Sequence, residues 1–308
     1  MKAIGVLSAR VRVEEKQIIA AVGIAGAVGL SVPPPCTAMP PGPATLDFVS
    51  LGIDQATAVV EIPGLDRSLS AVIDRCQNRT IAAVALPILR ASGIQVLDAG
   101  IAADRSRLDV ARALAAAGVP RPECLVGFSE ESGVEAARAV GFPATLLPLM
   151  AGSTTTSLLD SDTAEAVIEH RVVLGTSTEA IVLIQAGSPS SAERTLVHVV
   201  GGHAVAVENA PVGASGLKMA EKAADAVGAN IISVELARLN GTLVVWDLHP
   251  VGDFRQATLL GSQTVAEAIV DLAVNGIRSA NIAQRNPKGV APRSAREAEE
   301  RHGVALTA

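Results

Sequence analysis

Aromatic side chains are nearly absent from this 308-residue chain: it has no tyrosine, and tryptophan and phenylalanine together supply 2%. The core must therefore be built from Ala, Val, Leu and Ile. Recognition of nucleic acid by base stacking, which needs aromatic platforms, is excluded. Positive charge is short as well. Lys and Arg number 25 against 31 Asp and Glu, a net charge of −6, so no basic field is offered to phosphate backbones or anionic membranes. The three cysteines, Cys36, Cys76 and Cys124, are too few and too scattered for a disulfide framework or a thiolate metal site, and a reducing cytoplasm fits best. The longest apolar run, Ile18–Val32, falls short of the roughly 18 residues a spanning helix needs and follows mixed rather than basic charge. It reads as a buried helix. No glycine-rich phosphate loop follows the first strand, and Gly127-Phe128-Ser129 lacks the glycine that would complete a nucleophile elbow.

What is present is globular. Hydrophobic residues make up 49% and charged ones 18% of 31.3 kDa, enough for two or three compact units. Strands and helices alternate from Lys2–Ser8 through a helix at Glu14–Ala27, a proline-rich loop at Gly29–Pro43, strands at Ala56–Ile62 and Ala71–Asp74, a helix at Thr80–Ser92 and a strand at Ile94–Leu97. That alternation predicts an open α/β unit with a parallel sheet over residues 1–100. Helices are expected at Asp104–Gly118, at Ser129–Gly141 with Ser129 as cap, and at Asp162–Leu174 with Asp162 and Glu165 as capping box. Between the last two lie a strand at Phe142–Met150 and a small polar loop at Ala151–Ser157; these elements make a central unit over 101–178. A strand at Glu179–Ala186, a hairpin across Gly201-Gly202, a helix at Ser215–Val227, a second hairpin and a helix at Ser262–Asn275 form a third unit over 179–275. The polar stretch 276–308 reads as a disordered tail.

The second hairpin carries the chemistry. Its arms, Ile231–Ala237 and Thr242–Leu248, flank Asn240-Gly241, the dipeptide that best tolerates the positive φ angles of a tight turn. Asp247 and His249 are two apart, hence on one face, and Glu235 lies on the opposing arm. Those three outline a divalent-metal site. The competing reading is that acids at strand ends are solvated and that a histidine before a proline sits in a turn.

Taken in order, these elements resemble the ATP-grasp superfamily, in the branch of the ribosomal-protein glutamate ligase and the lysine-biosynthesis ligase that acts on an amino-group carrier protein. The resemblance spans about residues 1–275. It rests on Arg10-Val11-Arg12 with Glu14-Glu15-Lys16, Arg75-Cys76, Ala103-Asp104-Arg105, Gly118-Val119-Pro120 with Pro122, and Gly141-Phe142-Pro143. It implies an α/β (α+β grasp) three-part architecture in which ATP and Mg²⁺ convert a carboxylate to an acyl-phosphate that an amine attacks. The resemblance also assigns residues. Arg105 stands where a phosphate lysine is expected, Gly152 and Ser153 keep part of a glycine-rich loop, Gln185 keeps part of the nucleotide-gripping run, and Glu235, Asp247 and His249 stand for the metal ligands.

Other positions depart from that pattern. Leu147 replaces a second phosphate lysine, Thr155 and Thr156 replace the loop's second glycine and arginine, and Ala186 replaces an acid. Arg194-Thr195-Leu196 replaces Asp-x-Arg, and the substrate loop shrinks to Asn209–Ala214. Removing one preorganised charge from a phosphoryl-transfer site typically costs about 100- to 1000-fold in rate. Three readings stay open. The first is an eroded ligase acting as a partner or regulator; the second is a working carboxylate–amine ligase in which Arg105, Lys218 or Arg255 supplies the missing charge. The third is a metal-dependent hydrolase using Mn²⁺ or Zn²⁺, which suit imidazole better than Mg²⁺ does. An amino-acid carrier protein or small amino-acid substrate is the implied partner, and a homo-oligomer the implied assembly.

Overall fold

A computed structural model describes residues 3–8, 11–25, 28–32, 48–51, 58–61, 69–91, 93–150, 155–176 and 180–285. The first unit is a parallel sheet in the order β2-β1-β5-β6, from Val28–Val32, Ala3–Leu7, Leu69–Asp74 and Gln95–Leu97. Helices α1 (Val13–Ile24) and α2 (Arg79–Ala91) connect its strands, and β3 (Phe48–Leu51) pairs with β4 (Ala58–Glu61) as a separate antiparallel ribbon. The parallel sheet follows from continuous apolar strands: Ile4, Val6, Leu7 and Ala71 to Ile73 are all fully buried, as a sheet covered on both faces requires.

Two short helices follow, α3 (Ile101–Asp104) and α4 (Arg107–Ala116). One unbroken helix was expected here. The chain instead goes extended at Arg105, and Ser106 caps a new helix by accepting from the Asp109 amide while the Asp109 side chain answers the Ser106 amide. The central unit is an antiparallel sheet in the order β7-β10-β8-β9, from Cys124–Gly127, Val182–Ala186, Ala144–Leu147 and Thr156–Leu158. Helices α5 (Glu130–Val140) and α6 (Ser161–Leu174) pack beside it. Ser129 caps α5 as expected, whereas α6 is capped by Asp160, whose side chain accepts from the Thr163 amide, not by Asp162.

The third unit is a five-stranded antiparallel sheet in the order β14-β13-β11-β12-β15. Its strands are β11 (Arg194–Val200), β12 (His203–Asn209), β13 (Ile231–Leu239), β14 (Thr242–His249) and β15 (Thr258–Leu259). Helix α7 is Ala214–Ala226, and α8 runs from Val265 to Arg285, ten residues into the stretch read as a disordered tail. The remainder of that tail, Gly152, Ser153 and most of the proline-rich loop lie outside the described residues. Among the described residues, no helix is long and apolar enough to cross a membrane.

Three apolar cores divide the molecule differently from the sequence boundaries. One joins Leu7, Val72 and Leu86 of the first unit to Val197, Ala220 and Ile232 of the third, and includes Leu114 and Val119. A second joins Ile4 and Ile18 to Val200, Ile231, Phe254 and Ile269. The central unit has its own, built on Ala144, Leu146, Ile168 and Val182. Residues 101–119 therefore pack with the outer units, and β10, expected in the third unit, is the inner strand of the central sheet between β7 and β8.

Gly100 ties the outer units together. It adopts φ +59°, a Cβ there would meet the Val227 carbonyl oxygen at 2.0 Å, and the next amide donates to that oxygen at 2.8 Å. Gly100→Ala is expected to cost roughly 2 kcal/mol or more, combining backbone strain with a rigid clash. Gly93→Ala, with a similar φ of +75° but open space around it, should cost about 1 kcal/mol. Denaturant unfolding of both variants checks the difference; equal losses would contradict the close approach.

Candidate functional site

The β13–β14 hairpin turns as its sequence dictates, with Asn240 at φ 50° and Gly241 at φ 80°. Glu235 lies opposite Asp247 and Ser233 opposite His249, and a register shift between Glu235 and Leu236 separates the site from the turn. The structure thus brings all three predicted ligands together. It also gives each of them a partner. His249 Nε2 lies 3.1 Å from Glu235 Oε2, and the other oxygen of Glu235 accepts from Arg194 Nη1 at 3.2 Å. Asp247 is held by Arg107, which donates from Nη2 to Oδ2 at 2.7 Å and from Nε to Oδ1 at 3.3 Å. Asp247 Oδ1 accepts the Leu248 amide as well, at 2.8 Å.

Arg107 is anchored on every side. Its Nη1 donates to the carbonyls of Pro148 at 2.9 Å and Met150 at 2.8 Å, so one guanidinium pins the chain after β8 to the hairpin of the third sheet. Arg107 is 9% and Asp247 11% exposed at the side chain, so the pair is nearly dry. Removing either partner alone would strand the other charge, a loss of about 3–5 kcal/mol for a buried pair. Burial would raise the Asp247 carboxyl, but the Arg107 charge, with His249 behind it, outweighs that and holds it below the ordinary aspartate range. His249 shows the opposite balance. Burial lowers it, and the hydrogen bond to Glu235 with the charge of Asp247 lifts it above the ordinary histidine value.

The guanidinium in the site is thus Arg107, not Arg105. Arg105 is 67% exposed and its nearest acid is Asp104 at 3.9 Å. Arg107 starts a capped helix, and the Ser106–Asp109 cap was the available sequence signal for where that helix begins. Arg194 was likewise passed over, although residues 194 and 235 are brought close by adjacent strands. Gln185 is buried against β14, its Nε2 donating to the Trp246 carbonyl at 3.3 Å. Arg255 is placed elsewhere, against Asp253 and Glu14 of α1.

Between the central sheet and β14 lies a cleft lined by Arg107, Cys124, Leu147, Gln185, Trp246 and Asp247. Its volume is about 40 Å³. A small-molecule site typically measures about 300–1,000 Å³, whereas a water takes roughly 30 Å³. The Cys124 thiol facing it is pushed up to about 11 by burial, which makes it unreactive.

With the geometry in hand, comparison with known proteins is informative about the fold. No protein-family model matches the sequence. Among solved structures, a RimK-domain ATP-grasp protein from Sphaerobacter thermophilus DSM 20745 is similar at 24% identity with a TM-score of 0.69, over 88% of this chain and 99% of that one. The ATP-grasp ligase PsnB, in complex with a minimal precursor, Mg and ADP, is 17% identical with a TM-score of 0.62, over 89% of this chain and 98% of that one. The D-alanine–D-alanine ligase of Bacillus anthracis in complex with ATP is 12% identical with a TM-score of 0.59, over 92% and 100%.

The chain has an ATP-grasp fold.

An ATP-grasp fold implies a Mg²⁺–nucleotide, and the residues here can be tested against one. Mg²⁺ needs oxygen ligands in a near-octahedral shell. Asp247 and Glu235 are occupied by Arg107, Arg194 and His249, and among the described residues no three His, Cys, Asp or Glu are arranged to hold a metal ion. On the central sheet, Leu147 and Leu183 line the cleft with apolar surface, which offers no donor to a phosphate. As placed, these residues do not fit a Mg²⁺–nucleotide.

The pH dependence of this network follows from His249. A folded-state value above the unfolded one of about 6.5 means stabilisation that is complete below the unfolded value and lost as pH rises through the folded one. Thermal unfolding of the wild type and of His249→Gln across pH 5–9 should show the wild-type advantage largest at acid pH and shrinking towards alkaline pH. An advantage that grows with pH would contradict the assignment.

Proposed function

We propose that this protein belongs to the carboxylate–amine ligase lineage of the ATP-grasp fold and has lost most or all ligase activity. It works as a binding partner or regulator of an amino-acid carrier protein or peptide. A cytoplasmic homo-oligomer belongs to the same reading. The observation that carries it is the Arg107–Asp247 pair. A fixed guanidinium, held by two backbone carbonyls, takes the acid that a metal would need and joins the two units between which a nucleotide would insert. The replacement of a phosphate lysine by buried Leu147 supports the same conclusion, because a preorganised positive charge is the main thing a protein contributes to phosphoryl transfer. The structure of PsnB with its precursor supports a peptide as the class of partner.

One observation favours the second reading, an active ligase. Arg107 and Arg194 place two guanidiniums beside the acids, which makes up part of the charge missing from the sequence pattern. Nucleotide separates the two readings. A ligand present at 100 times its Kd stabilises by about 2.7 kcal/mol, a shift of roughly 4 °C for a chain of this size. Thermal unfolding with millimolar ATP and Mg²⁺ is expected to leave Tm where EDTA leaves it. A shift of several degrees that needs both ATP and Mg²⁺ would restore the ligase reading; a shift with Mn²⁺ or Zn²⁺ alone would favour the hydrolase.

A further inference from the structure

The sheet of the central unit has two faces, and successive residues along a strand address them in turn. On β8, Leu147 lines the cleft, whereas Leu146 belongs to the core under α5 and α6. On β9, Leu158 lies in that same core, and Thr156, two residues earlier, shares its face. The helix-covered face is thus the side of the sheet turned away from the cleft and from Asp247.

Helix α6 covers that face only as far as its own end. It stops at Leu174, and the amide of Gly175 closes it by donating to the Arg171 carbonyl. There Leu146, Thr156, Val167, His170, Arg171 and Leu174 line an open cavity of about 280 Å³, against about 40 Å³ for the cleft. Small-molecule sites begin at about 300 Å³. The walls are of two kinds. Leu146 and Val167 are apolar, and so is Leu174, which is left 70% exposed. His170, Arg171 and Thr156 are donors, and among the described residues no acid lines the cavity, in a chain whose net charge is −6. Among the described residues the side chains of His170 and Arg171 make neither a hydrogen bond nor an ion pair. The last turn of a helix favours a cation, which accounts for Arg171 standing there without a carboxylate of the protein beside it.

We propose that this cavity binds the anion of a medium-chain fatty acid, with its alkyl chain against Leu146, Val167 and Leu174 and its carboxylate on Arg171. Thr156 and His170 are the further donors to the head group. A planar guanidinium meets a carboxylate through two parallel hydrogen bonds, and each methylene that leaves water adds about fourfold in affinity. A nucleotide brings several charges where one guanidinium answers, and an ammonium head meets no acid. The bound acid is not a reactant, because it lies on the other face of the sheet from the cleft. The site goes beyond the function proposed above and stands whether or not the chain is a ligase.

The test is isothermal titration of the full chain in EDTA without nucleotide, so that its failure leaves the ATP–Mg²⁺ question untouched. Three probes are used below their micelle concentrations: octanoate, butyrate and octylammonium. Octanoate should bind saturably, near one per chain and at least tenfold more tightly than butyrate, and octylammonium should give no saturable binding. The emission of Trp246, which lines the cleft on the opposite face, should not change. Arg171→Gln should weaken octanoate about tenfold or more, as expected for losing a charge-assisted pair, and Leu174→Asn should weaken it severalfold. Both side chains lie on the surface of α6, so each variant should keep the wild-type Tm without ligand. No saturable binding of octanoate at tens of millimolar, equal binding of butyrate or octylammonium, a shift of Trp246 emission with octanoate, or wild-type affinity in Arg171→Gln would overturn the proposal.

Discussion

The contact between Arg107 and Asp247 determines how the cleft between the central and third units is built. A guanidinium in a nearly dry site must have its donors satisfied, and Arg107 does this with two carbonyls after β8 and one carboxylate on β14. The same bonds fix the spacing of the two sheets and leave a gap of about 40 Å³. Around it, Arg194, Glu235 and His249 neutralise each other in the same way. Asp247, Glu235 and His249 are thus each answered by a protein partner.

The parts of the fold that depend on local chemistry were legible in the sequence. Asn240-Gly241 gave the hairpin, the two-residue spacing put Asp247 and His249 on one face, and Ser129 gave the start of α5, because each depends on residues a few positions apart. Errors came where long-range packing decides. The apolar residues of β10 read equally well for either of two sheets, and only pairing with β7 and β8 assigns the strand to the central unit. The segment after α1 is apolar enough for helix, yet Val28–Val32 pairs beside β1 as a strand.

The site was legible as a set of acids and illegible as a set of pairs. Arg105 and Arg107 both lie near the expected phosphate position, and two residues along the chain separate an exposed side chain from the one that closes the cleft. Choosing between them needs the backbone to turn extended at Arg105. Arg194 reads in the sequence only as a departure from Asp-x-Arg; strand pairing sets it opposite Ala237, and its side chain reaches diagonally to Glu235.

The central claim is that these arginine–carboxylate pairs hold the acids a divalent metal would need. The most direct measurement is electron paramagnetic resonance of Mn²⁺ with ATP, titrated with the full chain. The account predicts a spectrum that stays that of Mn²⁺–ATP in buffer as protein is added. A protein-dependent loss of that signal, saturating near one equivalent and absent in Asp247→Asn, would contradict it.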